Sequence, residues 1–194
     1  AMRDAGRTVR TWCDPALTVR AEELPLPAGW REKQTVGLNV SPLVLNNAKD
    51  RNAALNAFVA LVRHILRTSE NAVALIPHVT WAHDNDMDAL FEIKAHFADE
   101  PRVFLLSSQL GAMQYKGYVK RLSGLVTART HVSVAAYSTF VPTLVIGNLA
   151  DDACTPSHTR RLFEAIGRVH PEVLGRTLPL NGAGVCGAAL ADLG

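Results

Sequence analysis

From Thr35 onward, short apolar runs alternate with longer stretches in which apolar residues recur every three or four positions. The run TVGLNVSP at 35–42 predicts a strand that stops at Ser41-Pro42. Asp50 is placed to cap a helix whose Leu55, Phe58, Val59, Val62, Ile65 and Leu66 follow the i, i+3, i+4, i+7 pattern. Asn71 closes that helix, and AVALI at 72–76 is a second strand. Pro77-His78 opens a polar loop to Asp88. Met87, Leu90, Phe91 and Phe97 then give a further helix its apolar face, with Asp84 or Asn85 as cap. RVFLL at 102–106 predicts a third strand, 111–122 a weaker helix, 125–127 a fourth strand, 131–139 a small-residue helix and 143–146 a fifth strand.

Strands that are apolar on both faces and alternate with helices of this length predict an α/β fold, a Rossmann-like parallel sheet with helices on both faces. In such sheets ligands bind beyond the carboxyl ends of the strands. The polar groups that follow the strands are Asn39 with Ser41, His78, Ser107 to Gln109, and Arg129 with His131, and they are expected on one rim. Arg129 and His131 lie where a strand ends and a helix begins. The first backbone N–H groups of a helix lack internal partners and its dipole favours negative charge, so this junction suits an anion.

The flanks do not follow the alternation. Val9 to Trp12 could form a brief strand ended by Asp14-Pro15, and Pro25, Pro27 and Gly29 mark a linker. Residues 1–34 are therefore expected to be an interdomain connection, the end of an N-terminal domain, with the Rossmann-like domain at 35–170. Thr155-Pro156 starts a helix with Leu162, Phe163 and Ile166 inward, and 171–194 is an atypical Gly/Ala-rich tail.

Composition changes this picture little. Of 194 residues, 48% are hydrophobic and 20% charged, ordinary values for a chain with a core. A formal charge of +2 with scattered Lys and Arg makes no case for nucleic acid. Cys13, Cys154 and Cys186 form no C-x-x-C pair or metal-finger spacing, which fits a reducing compartment and no metal site. No apolar run reaches the ~18 residues of a membrane span, so a cytoplasmic location without a transmembrane segment is expected.

Other motifs are weighed and set aside. Asp84, Asp86 and Asp88 resemble the opening of a calcium loop, but Ala89 and Ala95 stand where its Gly and Glu are required. An acidic first helical turn favoured by the dipole explains them better. Gly182-Ala183-Gly184-Val185-Cys186-Gly187 has G-x-G-x-x-G spacing but no following βαβ unit, and no G-x-S-x-G elbow occurs.

Several short stretches in register resemble the polysaccharide pyruvyl transferase family. They are DPALT at 14–18, VGLNVSP at 36–42, ALIPHV at 74–79 with Asn85-Asp86, Lys116-Gly117, and above all ARTHVSVAAYSTFVPTLVIG at 128–147. The resemblance covers residues 9–147. It implies the C-terminal half of an enzyme with GT-B-like architecture, which needs no cofactor. The implied reaction carries pyruvate as a ketal from phosphoenolpyruvate to a saccharide or lipid-linked saccharide acceptor, which would bring the protein to a membrane through the acceptor.

In that family the Arg-x-His pair contacts the donor, which carries over to Arg129 and His131 as catalytic residues; His131 would neutralise phosphate or donate a proton. Asn39, Ser41, His78, Lys116 and Thr130 are the expected substrate-binding residues. An Arg fork and helix N–H groups suit a carboxylate or a phosphate, and a His suits proton transfer. After Gly147 the pattern departs. NLADDACTPSHTRRLFEAIG at 148–167 is more similar to the late strand and helix of α/β-hydrolases, with Asp152 at the triad acid position. Two other classes remain open, a GT-B-like glycosyltransferase domain acting on a sugar nucleotide, and a catalytically inactive sugar- or anion-binding domain.

Overall fold

The computed structural model describes residues 15–146. Its centre is a five-stranded sheet in which every pairing is parallel. The strands are β1 (Thr35–Asn39), β2 (Ala72–Leu75), β5 (Val103–Leu105), β6 (Gly124–Thr127) and β7 (Thr143–Val145), in the spatial order β5-β2-β1-β6-β7. The chain runs outward from β1 through β2 to β5, then returns to lay β6 on the other side of β1. That reversal makes the β1–β6 boundary the topological switch point, where an α/β sheet opens a crevice at its carboxyl rim.

Successive strand side chains point to opposite faces, and β2 shows the consequence. Val73 and Leu75 enter one core with Leu38, Val62, Leu90 and Ile93, under α1 (Pro42–Asn46), α2 (Arg51–Thr68) and α3 (Asp86–Ala95). Ala74 and Ile76 enter the other with Leu122, Leu125, Val132 and Ala136, under α4 (Ala112–Val119) and α5 (Thr130–Tyr137). A central strand buried on both sides has no polar position to offer, hence the unbroken AVAL. The expected α/β sheet with helices on both faces is what the chain forms.

Three local differences from the sequence expectation have simple causes. Ser41-Pro42 does more than stop β1: the Ser41 hydroxyl accepts from Leu43 N and Pro42 opens α1, a residue suited to a position that needs no N–H donor. The loop after Pro77 contains a small antiparallel ribbon, β3 (Thr80–Trp81) with β4 (Asp84–Asn85), and α3 starts at Asp86 with Asn85 as its cap. The region before β1 was expected to be a connection. Its residues 15–34 begin with a 3-10 turn, Pro15–Thr18, and then strap across α4: Glu22 N donates to Met113 O at 2.9 Å and Tyr118 Oη to Pro25 O at 2.9 Å. Leu24, Leu26 and Trp30 complete the second core, with Trp30 against Phe104 and Tyr118. The strand expected at Val9–Trp12, the helix after Thr155, Asp152 and the glycine-rich tail lie outside the described residues.

Candidate functional site

The switch-point crevice is floored by a polar network built on one carboxylate. Asp86, at the first turn of α3, is completely buried. Its Oδ2 accepts from Asn39 Nδ2 at 3.0 Å, His78 N at 3.0 Å and Val79 N at 3.1 Å. Its Oδ1 accepts from Arg129 Nε at 3.1 Å and Arg129 Nη2 at 2.8 Å, and the same Nη2 donates to Asp84 Oδ1 at 2.6 Å. Asn39, also fully buried, donates to Ile76 O at 2.9 Å and accepts from Thr127 Oγ1 at 2.9 Å. Thr127 Oγ1 in turn accepts from Arg129 N at 3.1 Å. The ends of β1, β2 and β6 and the start of α3 are thus locked together by charge-assisted bonds, which are roughly twice as strong as neutral ones.

Arg129 therefore differs from expectation. It caps α5 with its backbone, but its guanidinium faces two carboxylates rather than an open anion site. Its side chain is 14% exposed. Burial works against the charge, and the Asp84 and Asp86 bonds outweigh it, so the guanidinium is held protonated even more firmly than usual. Only Nη1 is left without a partner among the described residues.

Beside this network lies a cavity of about 270 Å³. Its polar wall is His78, Tyr115, Lys116 and His131; Ile76, Val119 and Val132 form the apolar wall, and Ala16 and Val19 of the strap close one side. The imidazoles of His78 and His131 are stacked, with centroids 6.2 Å apart and planes 5° from parallel. His131 is exposed and His78 half-buried. Desolvation pushes the His78 pKa down; Asp86 opposes this, while the charges of His131 and Arg129 add to it. Its Nδ1 is buried and has no hydrogen-bond partner among the described residues.

Tyr115 lies 6.1 Å from His78 ring to ring and donates its hydroxyl to Ser107 O at 3.1 Å. Burial, with help from the Asp86 charge, pushes its pKa up to about 12. Lys116 is 5% exposed, and its Nζ donates to Leu17 O at 3.2 Å and Ala16 O at 3.4 Å. Burial lowers its pKa. No carboxylate pairs with it among the described residues.

The residues singled out in the sequence divide into groups. His78, Lys116 and His131 meet at the cavity, and Arg129 adjoins it through the network. Thr130 is exposed at the first position of α5. Asn39 and Ser41 are buried and committed to internal bonds. Ser41 acts on stability: Ser41→Ala should cost about 1 kcal/mol by removing the α1 cap, read as a lower midpoint in urea, with anion binding unchanged. Ser107 and Gln109 bond each other locally.

Asp86 and Tyr115 are the residues the sequence expectation missed. An acidic first turn explained Asp86 well enough to end the search, although Asn85-Asp86 follows ALIPHV so closely that its place on the rim could have been inferred. Tyr115 carried no signal beyond its position next to Lys116.

Among the described residues, no group of three or more His, Cys, Asp or Glu is arranged to hold a metal ion, and no helix is long and apolar enough to cross a membrane. No family model, curated protein or solved structure matches the chain.

Proposed function

We propose that the chain is the donor-binding domain of a pyruvyl transferase, and that phosphoenolpyruvate occupies the cavity between Lys116 and the His78–His131 pair. The observation that carries this is the Lys116 ammonium, buried in the wall of a rim cavity with no carboxylate against it among the described residues. A buried charge without a partner is expensive, and a bound anion supplies the partner. The cavity volume of about 270 Å³ lies just below the usual span for drug-sized ligands, which favours a small acid over a sugar nucleotide. Among the described residues, no Asp or Glu lines the cavity to hold ribose or sugar hydroxyls.

The assignment of charges changes with the geometry. Lys116 and His131 face the anion, while Arg129 orders the floor of the crevice and offers at most Nη1. In the reaction, carbon 3 of the enolpyruvyl group gains a proton, two acceptor hydroxyl oxygens bond to carbon 2, and the carbon–oxygen bond to phosphate breaks. Of the two hydroxyl protons, one balances that at carbon 3 and one leaves with phosphate. His131, exposed at the cavity mouth, is the imidazole placed to meet an acceptor saccharide. That acceptor, free or lipid-linked, would be met on the cytoplasmic side.

Isothermal titration tests the assignment. Phosphoenolpyruvate should bind, a uridine diphosphate sugar should not, and Lys116→Met should weaken phosphoenolpyruvate about tenfold while keeping the length of the buried stem. Phosphoenolpyruvate binding no tighter than sulfate, or displaced by the sugar nucleotide, overturns the reading.

A further inference from the structure

We propose that the cavity is a proton-coupled anion site, in which His78 takes up a proton as a small phosphorylated or carboxylated acid enters. The inference rests on the reading of the cavity as an anion seat, and adds to it how the site acquires the proton that its chemistry requires.

The geometry of His78 carries the argument. Its backbone N–H is bound by Asp86 Oδ2, which fixes the loop, while its side chain keeps a buried Nδ1 with no partner among the described residues. Buried polar atoms are nearly always paired, so this unpaired nitrogen is unusual, and no internal hydrogen bond among the described residues fixes its protonation. The ring is also stacked on His131 inside the same cavity.

Every charged or titratable group packed around His78 bears on its proton. Asp86 on α3 favours the imidazolium, and Asp84 just before α3 is paired with Arg129. Arg129 before α5 and His131 on α5 disfavour it. From α4, Lys116 adds a second cation at the cavity wall and Tyr115 stays neutral. The strap contributes only the apolar Ala16 and Val19. With the cavity empty, desolvation outweighs the Asp86 charge and keeps His78 neutral near pH 7. An anion between Lys116 and the imidazoles reverses the balance, because an opposite charge within about 4–6 Å favours the protonated form.

The sign follows from linkage. The empty-site pKa lies below the ordinary His value and the occupied-site pKa above it. Binding between those values therefore takes up a proton, and affinity rises as pH falls, by up to about tenfold per pH unit. Below the empty-site value His78 is already charged and the dependence flattens. The captured proton sits beside the bound acid, where it can reach departing phosphate.

The test is titration calorimetry of the full chain at pH 7.5 in two buffers of different ionisation heat, with phosphoenolpyruvate and with sulfate as probes. Sulfate does not titrate in this range, so any proton taken up with it belongs to the protein. The expected result is net proton uptake with both anions, abolished in His78→Gln with about tenfold weaker binding, and retained in His131→Gln. Should His78→Gln fold poorly, the imidazole resonances of the unmodified protein, followed against pH with and without sulfate, read the same shift.

Proton uptake unchanged in His78→Gln, or no upward shift of the His78 titration, overturns the proposal. If neither anion binds, both this proposal and the phosphoenolpyruvate reading fall. Coupled uptake with phosphoenolpyruvate binding no tighter than sulfate leaves the proton-coupled site standing and removes the pyruvyl reading alone.

Discussion

Asp86→Ala should be the most damaging single substitution in the rim, with an expected loss of roughly 3–5 kcal/mol in urea unfolding. That is the range for removing one partner of a buried ion pair. The carboxylate holds Asn39 Nδ2, the backbone N–H groups of His78 and Val79, and the Arg129 guanidinium. Its removal leaves the His78 and Val79 N–H groups without their acceptor, Asn39 Nδ2 with only Ile76 O, and Arg129, 14% exposed, with only Asp84. The functional consequence goes beyond stability. His78 and Arg129, two residues from His131, both take their position from this carboxylate, so the stacked imidazoles lose their common support. Binding of phosphoenolpyruvate should therefore weaken even at temperatures where the variant is folded. Asp86→Asn, which can still accept hydrogen bonds but brings no charge, should fall between the two proteins. A stability loss under about 1 kcal/mol for Asp86→Ala would show that the network is not what closes the crevice.

Gly117→Ala should also destabilise, by roughly 3 kcal/mol, although helix propensity points the other way. In an exposed helix interior the change from Gly to Ala is worth about 0.5–1 kcal/mol of added stability. Here a β-carbon would stand 1.8 Å from the carbonyl oxygen of Glu22 and 2.8 Å from its carbonyl carbon. Both are backbone atoms, so no rotamer relieves the overlap and the strap must lift from α4. Such overpacking typically costs 1–3 kcal/mol, and the shortness of this approach places it at the upper end. Lifting the strap also withdraws the Ala16 and Leu17 carbonyls from Lys116 and opens one side of the cavity. Limited proteolysis should cut between residues 15 and 34 in Gly117→Ala under conditions that spare the parent protein. A variant with a raised melting temperature and an intact strap would mean that the strap does not rest on this helix.

Much of the fold was legible in the sequence because its causes are local. AVALI at 72–76 can only be buried, and the Leu55 to Leu66 spacing of α2 makes one apolar face at 3.6 residues per turn. The strap was less legible. Leu24, Leu26 and Trp30 are separated by prolines and follow neither strand nor helix period, so their burial shows only once α4 and β5 are in place.

The rim shows where local reasoning ends. A polar residue after a buried strand can face a ligand or a distant part of its own chain, and the residue type is the same in both cases. His78, Lys116 and His131 line the cavity, whereas Asn39 and Arg129 are held by Asp86, 47 and 43 residues away in the chain.

By itself the sequence determined the alternation of strands and helices, the parallel sheet that follows from it, and the set of polar groups at the strand ends, since period and hydrophobicity act over a few residues. The tertiary structure alone decided how those groups are used. It set the Arg129 charge against Asp84 and Asp86, and it put Lys116, with no carboxylate partner among the described residues, in the wall of a cavity beside two stacked imidazoles. The physical reason is that burial and charge compensation depend on which distant segments meet.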